Sequence, residues 1–306
     1  MSGVESGVAR VAGQVRPDDV ARYYDRNTRR FLLASARGTY SMHRELWGPD
    51  VRSAAQATAH VDRLVGDEIG EALGAKGAGA WPCPDDVPLV IDFGCGVGGT
   101  LFHLAERFPC ARLVGVTVSG RQVEIAERIA GRLGHAERSS FTRADFQTLD
   151  LGVGADAIVA VESFAHSEGA DAFLASAARH LRPGGRLVIA DDFLARDAGA
   201  LAADERRRVE QLRAGWRVPT LCTAEQLGRA ARAHGLHVQK VADLTALTRP
   251  GRRVRDRLIG LLSPLLVGLR LGRMPFYGNM IGGNALQIGL RRGFIRYQLV
   301  TLSRGS

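Results

Sequence analysis

Cysteine is scarce in this chain: four in 306 residues, Cys83, Cys95, Cys110 and Cys222, spaced for neither a zinc site nor a disulfide framework. A metal-built or disulfide-stapled scaffold is excluded, and the thiols are expected to be reduced, as in a cytoplasmic protein. Long apolar runs are missing as well. Met1 to Asp19 is polar and lacks the apolar centre of a secretory signal, so 1–17 reads as a mobile tail. Leu258 to Leu271, broken by Pro264, has fourteen residues, fewer than the roughly eighteen that a bilayer crossing needs. Lysine is almost absent, with only Lys76 and Lys240 among 41 basic residues. The rest, 45% hydrophobic and 24% charged, is a soluble globular composition, long enough for a substantial core with a cap.

The net charge of +9 is unevenly placed. Residues 249–306 hold eleven arginines and one acid, Asp256, so this end carries +10 and the other 248 residues sit near −1. Such an end meets nucleic acid, a membrane surface or an anionic small molecule, or is simply solvated. Nucleic acid is disfavoured, because Arg249 to Arg257 adjoin an apolar run and lack interleaved aromatics that stack on bases. The run with its flanking arginines reads as a lid helix over an apolar pocket in preference to an interfacial membrane helix.

From Asp18 to Leu73 the pattern is helical, with segments over 20–33 and 51–73 joined through the polar, aromatic loop Gly38 to Arg44 and Trp47. A Gly/Pro linker over 77–86 leads into alternating strands (88–93, 112–118, 140–144, 155–161, 185–191, 237–246, 294–302) and helices (100–107, 120–133, 168–181, 223–234). That alternation predicts an α/β doubly wound, Rossmann-like sheet. The domain reading is a lid over 18–84, a core over 85–248, a basic and apolar helical insertion over 249–293, and a final core strand over 294–306.

One stretch concentrates the chemistry. Val90 to Thr100, V-I-D-F-G-C-G-V-G-G-T, is a buried strand breaking into a glycine turn that opens a helix. Gly94, Gly96 and Gly99 also fit the dinucleotide fingerprint, but the second strand ends Gly115-Val-Thr-Val-Ser119, without the acid that would hold a ribose. Asp92, just before the first glycine, suits a cofactor bearing an ammonium group, such as S-adenosylmethionine. Polar residues recur after each following strand: Thr117, Ser119 and Gln122; then Asp145 beside Phe146; then Glu162 to His166. In a doubly wound sheet ligands bind beyond these strand ends.

Asp92-x-Gly94-x-Gly96-x-Gly98, Gly115 to Ser119 with Gln122, Ala144-Asp145-Phe146, and Leu181-Arg-Pro-Gly-Gly185 resemble the successive motifs of class I S-adenosylmethionine-dependent methyltransferases. Within that superfamily the chain is similar to the sterol, tocopherol, geranyl diphosphate and cyclopropane fatty acid group, on G-V-T-V-S, on Glu162-Ser-x-x-His166, and on Tyr24-Asp25 with Thr39-Tyr40-Ser41. The resemblance implies seven strands in order 3-2-1-4-5-7-6 with the last antiparallel, S-adenosylmethionine as cofactor, and a cofactor site of Tyr24, Tyr40, Ser41, Asp92, Gly94, Cys95, Gly96, Gly98, Thr117, Ser119, Gln122, Asp145 and Phe146.

That group commonly methylates carbon, which implies C-methylation of an isoprenoid alkene through a carbocation that aromatic faces stabilise. Glu162 is then the base, with proton affinity raised by an apolar pocket, and His166 a second candidate. Phe164, Trp216, Phe276 and Tyr277 are candidate acceptor walls. If the acceptor is a prenyl diphosphate, an apolar small molecule with an anionic group, then His43, Arg44, Arg273, Tyr277 and Asn279 would supply its donors. O- or N-methylation of another natural product is the alternative, favoured by a pocket poor in aromatics. No metal site is expected, and a homo-oligomer is.

Overall fold

The computed structural model describes residues 40–41, 43–74, 86–152, 154–249 and 275–305, with side chains in the last stretch from 278 onward. The 1–17 tail, the helix expected over 20–33 with Tyr24, the run 258–271 and Arg273 lie outside the described residues, as do the side chains of Phe276 and Tyr277.

Seven strands form one sheet: β1 Leu89–Phe93, β2 Arg112–Thr117, β3 Ser139–Arg143, β4 Ala155–Val161, β5 Leu181–Leu194, β6 Leu236–Asp243 and β7 Ile295–Arg304. Their order is β3-β2-β1-β4-β5-β7-β6, as expected. Neighbours are parallel from β3 through to β5, and β7 runs antiparallel to both β5 and β6. Every residue of β4, A-D-A-I-V-A-V, is buried. A central parallel strand is covered on both faces, so it reads as a continuous apolar run. β5 extends well beyond 185–191, because β7 pairs with it as far as Leu194.

The helices are α1 Ala54–Gly70, α2 Gly99–Arg107, α3 Gly120–Leu133, α4 Ala170–His180, α5 Ala203–Trp216, α6 Ala224–Ala233 and α7 Pro275–Arg292. Their starts follow local chemistry. Ser53 and Thr223 each accept from the backbone N–H three residues on, and Gln56 and Gln226 return the bond, closing two capping boxes. Sequence patterning missed α5, whose only buried residues are Glu205, Val209 and Leu212. α7 carries Gly278, Gly282, Gly283 and Gly289, and their purpose is close packing. A Cβ on Gly282 would fall 2.8 Å from Trp216 Cδ1 and 3.1 Å from Gly215 Cα, so α5 and α7 meet backbone to backbone.

Both faces of the sheet are packed. Leu46, Val61, Val65 and Ile69 join Leu101 and Leu104 on one side, and Phe93, Phe164, Phe173 and Phe193 cluster on the other. Phe164 is fully buried, 5.0 Å from the Phe173 ring centroid and 5.7 Å from that of Phe193. It belongs to the core and is not an acceptor wall. Cys95 and Cys222 are free, whereas Cys110 is disulfide-bonded, against the expectation of four reduced thiols.

Candidate active site

The turn after β1 is built from positive-φ glycines, Gly94 at 88°, Gly96 at 56° and Gly98 at 91°, a region costly for other residues. Gly94 is also sterically required, since a Cβ there would meet the Ser163 side chain, whose hydroxyl donates to the Phe93 carbonyl. Beneath the turn lies Asp92, 3% exposed. Burial, with a smaller push from Asp62, raises its carboxyl to about 8.

Ser41 and His43, from the segment expected to be a lid, sit directly on this turn. Asp62 of α1 accepts from Ser41 Oγ at 3.0 Å and from Thr100 Oγ1 at 2.8 Å. His43 Nε2 lies 2.8 Å from Thr100 Oγ1. Because that hydroxyl's proton goes to Asp62, His43 is the donor. Tyr40, at φ 50°, packs edge-on against Phe102.

Further along the strand ends, Thr117 donates to Gln122 Oε1 at 2.6 Å, and both line the cavity described below. Ser119 does not line it. This residue is fully buried and caps α3, accepting from the Gln122 backbone at 3.1 Å. Asp145 accepts from the Gln147 backbone at 2.9 Å, and Phe146 stacks on Phe93 with ring centroids 5.1 Å apart.

At the ends of β4 and β5 the residues are charged. Glu162, at φ 51°, accepts from Arg44 twice, from its backbone N–H at 3.0 Å and from Nε at 3.2 Å. Arg44 also donates to Asp192 at 2.7 Å and stacks 4.2 Å from the Tyr297 ring centroid. Asp192 and Tyr297 are register partners on β5 and β7, so one cross-strand pair receives the guanidinium. Burial alone would push Glu162 up, but Arg44 and His43 outweigh it and hold its carboxyl below the usual range. The raised proton affinity expected of Glu162 is thus reversed. Asp191, buried beside Asp192, rises to about 7. His166 Nδ1 lies 3.1 Å from the Arg217 carbonyl, which can only accept, so Nδ1 carries the proton and the Nε2 lone pair is basic. Burial keeps this imidazole below its usual pKa.

A cavity of about 420 Å³ joins these parts. Of the residues expected at the site, Tyr40, Ser41, His43, Arg44, Gly94, Cys95, Gly96, Thr117, Gln122, Asp145, Phe146, Glu162, His166, Trp216 and Asn279 line it. Asp92, Gly98 and Ser119 support it from behind, and Phe164 is elsewhere. Asp191 and Asp192 line it too but were missed. An acidic pair closing a strand was the available signal. Trp216 donates to the Asn279 carbonyl at 3.0 Å, tying α5 to α7 at the cavity wall. Among the described residues no cluster of three or more His, Cys, Asp or Glu could hold a metal ion, and no helix is long and apolar enough to cross a membrane.

The methyltransferase-domain family matches residues 91–187, from β1 into β5. The O-methyltransferase cnsE of Penicillium expansum is 32% identical over 238 residues, 76% of this chain and 78% of that protein. The chain belongs to the S-adenosylmethionine-dependent methyltransferases. An O-methyltransferase of Pyrenophora dematioidea is also 32% identical, over 169 residues. That match is 55% of this chain and 61% of the relative, so the chain spans less than two thirds of its length. Among solved structures, a geranyl diphosphate methyltransferase in complex with GPP and sinefungin superposes with a TM-score of 0.70 at 22% identity, covering 94% of this chain and 99% of that one. That likeness is one of fold.

Proposed function

We propose that the protein methylates a hydroxyl group of a small, uncharged natural product, with His166 as the base. The carrying observation is the His166 imidazole: neutral, held in one tautomer by the Arg217 carbonyl, and lining the same cavity as the glycine turn. The residues present fit the cofactor. A buried carboxyl at Asp92 suits its ammonium group, Asp145 beside Phe146 suits an adenine, and the positive-φ glycines leave room for a ligand against the backbone. When bound, S-adenosylmethionine supplies an electrophilic methyl on a sulfonium. His166 Nε2 would accept the proton that the hydroxyl gives up when its oxygen is methylated.

C-methylation of a prenyl diphosphate has less support. Among the described residues, Trp216 is the sole aromatic lining the cavity at the ends of β4 and β5. His43 and Arg44 are already engaged by carboxylates and Thr100, and Glu162, Asp191 and Asp192 oppose an anion there. The N- and O-methyltransferases among the relatives agree with a heteroatom acceptor. Incubation with methyl-labelled cofactor and a panel of phenols, polyketide alcohols and geranyl diphosphate, read by mass spectrometry, tests the reading. Label on oxygen, lost at least a hundredfold in kcat for His166→Gln with cofactor affinity kept, is expected. Label on carbon of geranyl diphosphate alone would overturn it.

A further inference from the structure

The strongest unexplained feature beside the cavity is a buried carboxylate that does not line it. Asp62 is 1% exposed and sits on α1, outside every motif of the glycine turn. Its two oxygens are both taken, one by Ser41 of the lid and the other by Thr100 of α2, with His43 bonded to Thr100 and 3.5 Å from Asp62 Oδ1. The lid is consequently pressed onto the turn. A Cβ on Gly99 would fall 2.6 Å from Ser41 Cα and 2.7 Å from Ser41 N.

We propose that Asp62 is a positioning residue for the cofactor, fastening Ser41 and His43 over the glycine turn so that Tyr40 and Ser41 close one wall of the cavity. The proposal rests on the S-adenosylmethionine reading of that turn. Three bonds converge on Asp62 or on Thr100, which it anchors, and two of them end on a charged group, the stronger kind. Asp62 also acts on Asp92 through space. Two buried carboxylates near each other resist ionising together, and Asp62 adds to the burial that raises Asp92. The titratable groups facing this pair are His43 from the lid, 3.5 Å from Asp62, and Cys95 from the turn, which feels Asp92. A ligand ammonium placed beside Asp92 would relieve the repulsion, so the same carboxylate that closes the lid primes the turn for a cation.

The test is calorimetric binding of S-adenosylhomocysteine, from pH 6 to 9, to the wild-type chain, Asp62→Asn and Thr100→Val, with thermal melting of each. Asp62→Asn is expected to bind roughly tenfold more weakly at pH 8.5, with the midpoint of the pH dependence moved down. Thr100→Val, which keeps the charge, is expected to lose several-fold in affinity with the midpoint unmoved. A merely structural role would not separate the two variants in this way. Wild-type affinity and midpoint in a folded Asp62→Asn would overturn the proposal. Should Asp62→Asn fail to fold, unchanged binding by Thr100→Val would overturn it, and a several-fold loss would uphold it. A wild-type chain that binds no S-adenosylhomocysteine would instead refute the cofactor reading itself.

Discussion

Arg44→Met removes a guanidinium of near-equal volume from between Glu162 and Asp192. Side chains there are only 16% exposed for Arg44, 25% for Glu162 and 9% for Asp192, so the carboxylates lose their counter-ion in a place water reaches poorly. Removing one partner of a buried pair costs about 3 to 5 kcal/mol, and the residual exposure of Glu162 puts the expectation near the lower end, about 3 kcal/mol. The sign with pH follows from Glu162. Its folded carboxyl lies below the usual range, so its stabilising contribution is present above that range and is lost as pH falls through the folded value. In Arg44→Met the largest remaining influence on Glu162 is burial, which pushes it up, so the variant regains about 1.4 kcal/mol for each pH unit below the new value. Urea unfolding of the two proteins should show a gap of about 3 kcal/mol at pH 7.5 that narrows toward pH 4.5. Adding Glu162→Gln should shrink the cost of Arg44→Met, because the stranded charge is gone. A gap under about 1 kcal/mol at pH 7.5, or one that does not change with pH, would refute the ion-pair account.

Three further outcomes follow from the same geometry. Gly99→Ala adds a good helix former at the start of α2 but drives a Cβ into the backbone of Ser41, so melting should fall and S-adenosylhomocysteine binding should weaken clearly. Asp92→Asn removes a carboxyl raised to about 8. An acid with a raised folded pKa loses stability as pH rises toward that value, so the apoprotein variant should melt higher than wild type at pH 8.5 yet bind S-adenosylhomocysteine less tightly. Gly282→Ala wedges α7 from Trp216 and should cost about 1 to 3 kcal/mol; acceptor KM should rise with cofactor affinity kept, and steady-state kinetics against binding data separates these effects.

The central strands were legible because they read as apolar runs closed by a glycine or an acid, as in Val90 to Gly94 and Ala157 to Glu162. Period and punctuation are local properties. α5 was not legible, since a helix with three consecutive arginines, Arg206 to Arg208, and three buried residues leaves no strong stripe to read. A helix was expected within 249–293 and α7 lies there, but the packing role of its glycines depends on the backbone of α5 and is not a local property. At the site, the glycine turn and the strand-end polar residues were readable from position. What Glu162 does was not, because its proton affinity is decided by Arg44, 118 residues away in sequence. Phe164 illustrates the same limit in reverse: two positions past Glu162 it turns into the opposite core, a consequence of the short 3-10 turn that follows β4.

Adjacent lid residues divide the cavity between them. His43 bonds toward Thr100 and Asp62 beneath the glycine turn, while Arg44 bonds toward Glu162 and Asp192 at the ends of β4 and β5. A peptide unit between them cannot move one contact without straining the other. The contacts beneath the glycine turn and those at the ends of β4 and β5 are therefore expected to depend on each other. Loss of the Asp62 anchor should loosen Arg44 as well, and loss of Arg44 should reach the cofactor. The acidic pocket gives that coupling a chemical consequence. With Arg44 held between two carboxylates, an anionic acceptor meets Glu162, Asp191 and Asp192 without a spare guanidinium among the described residues lining the cavity. A neutral hydroxyl can instead donate to a carboxylate or to His166, and this imbalance of charge, more than the shape of the cavity, is what supports the proposed hydroxyl acceptor over a diphosphate.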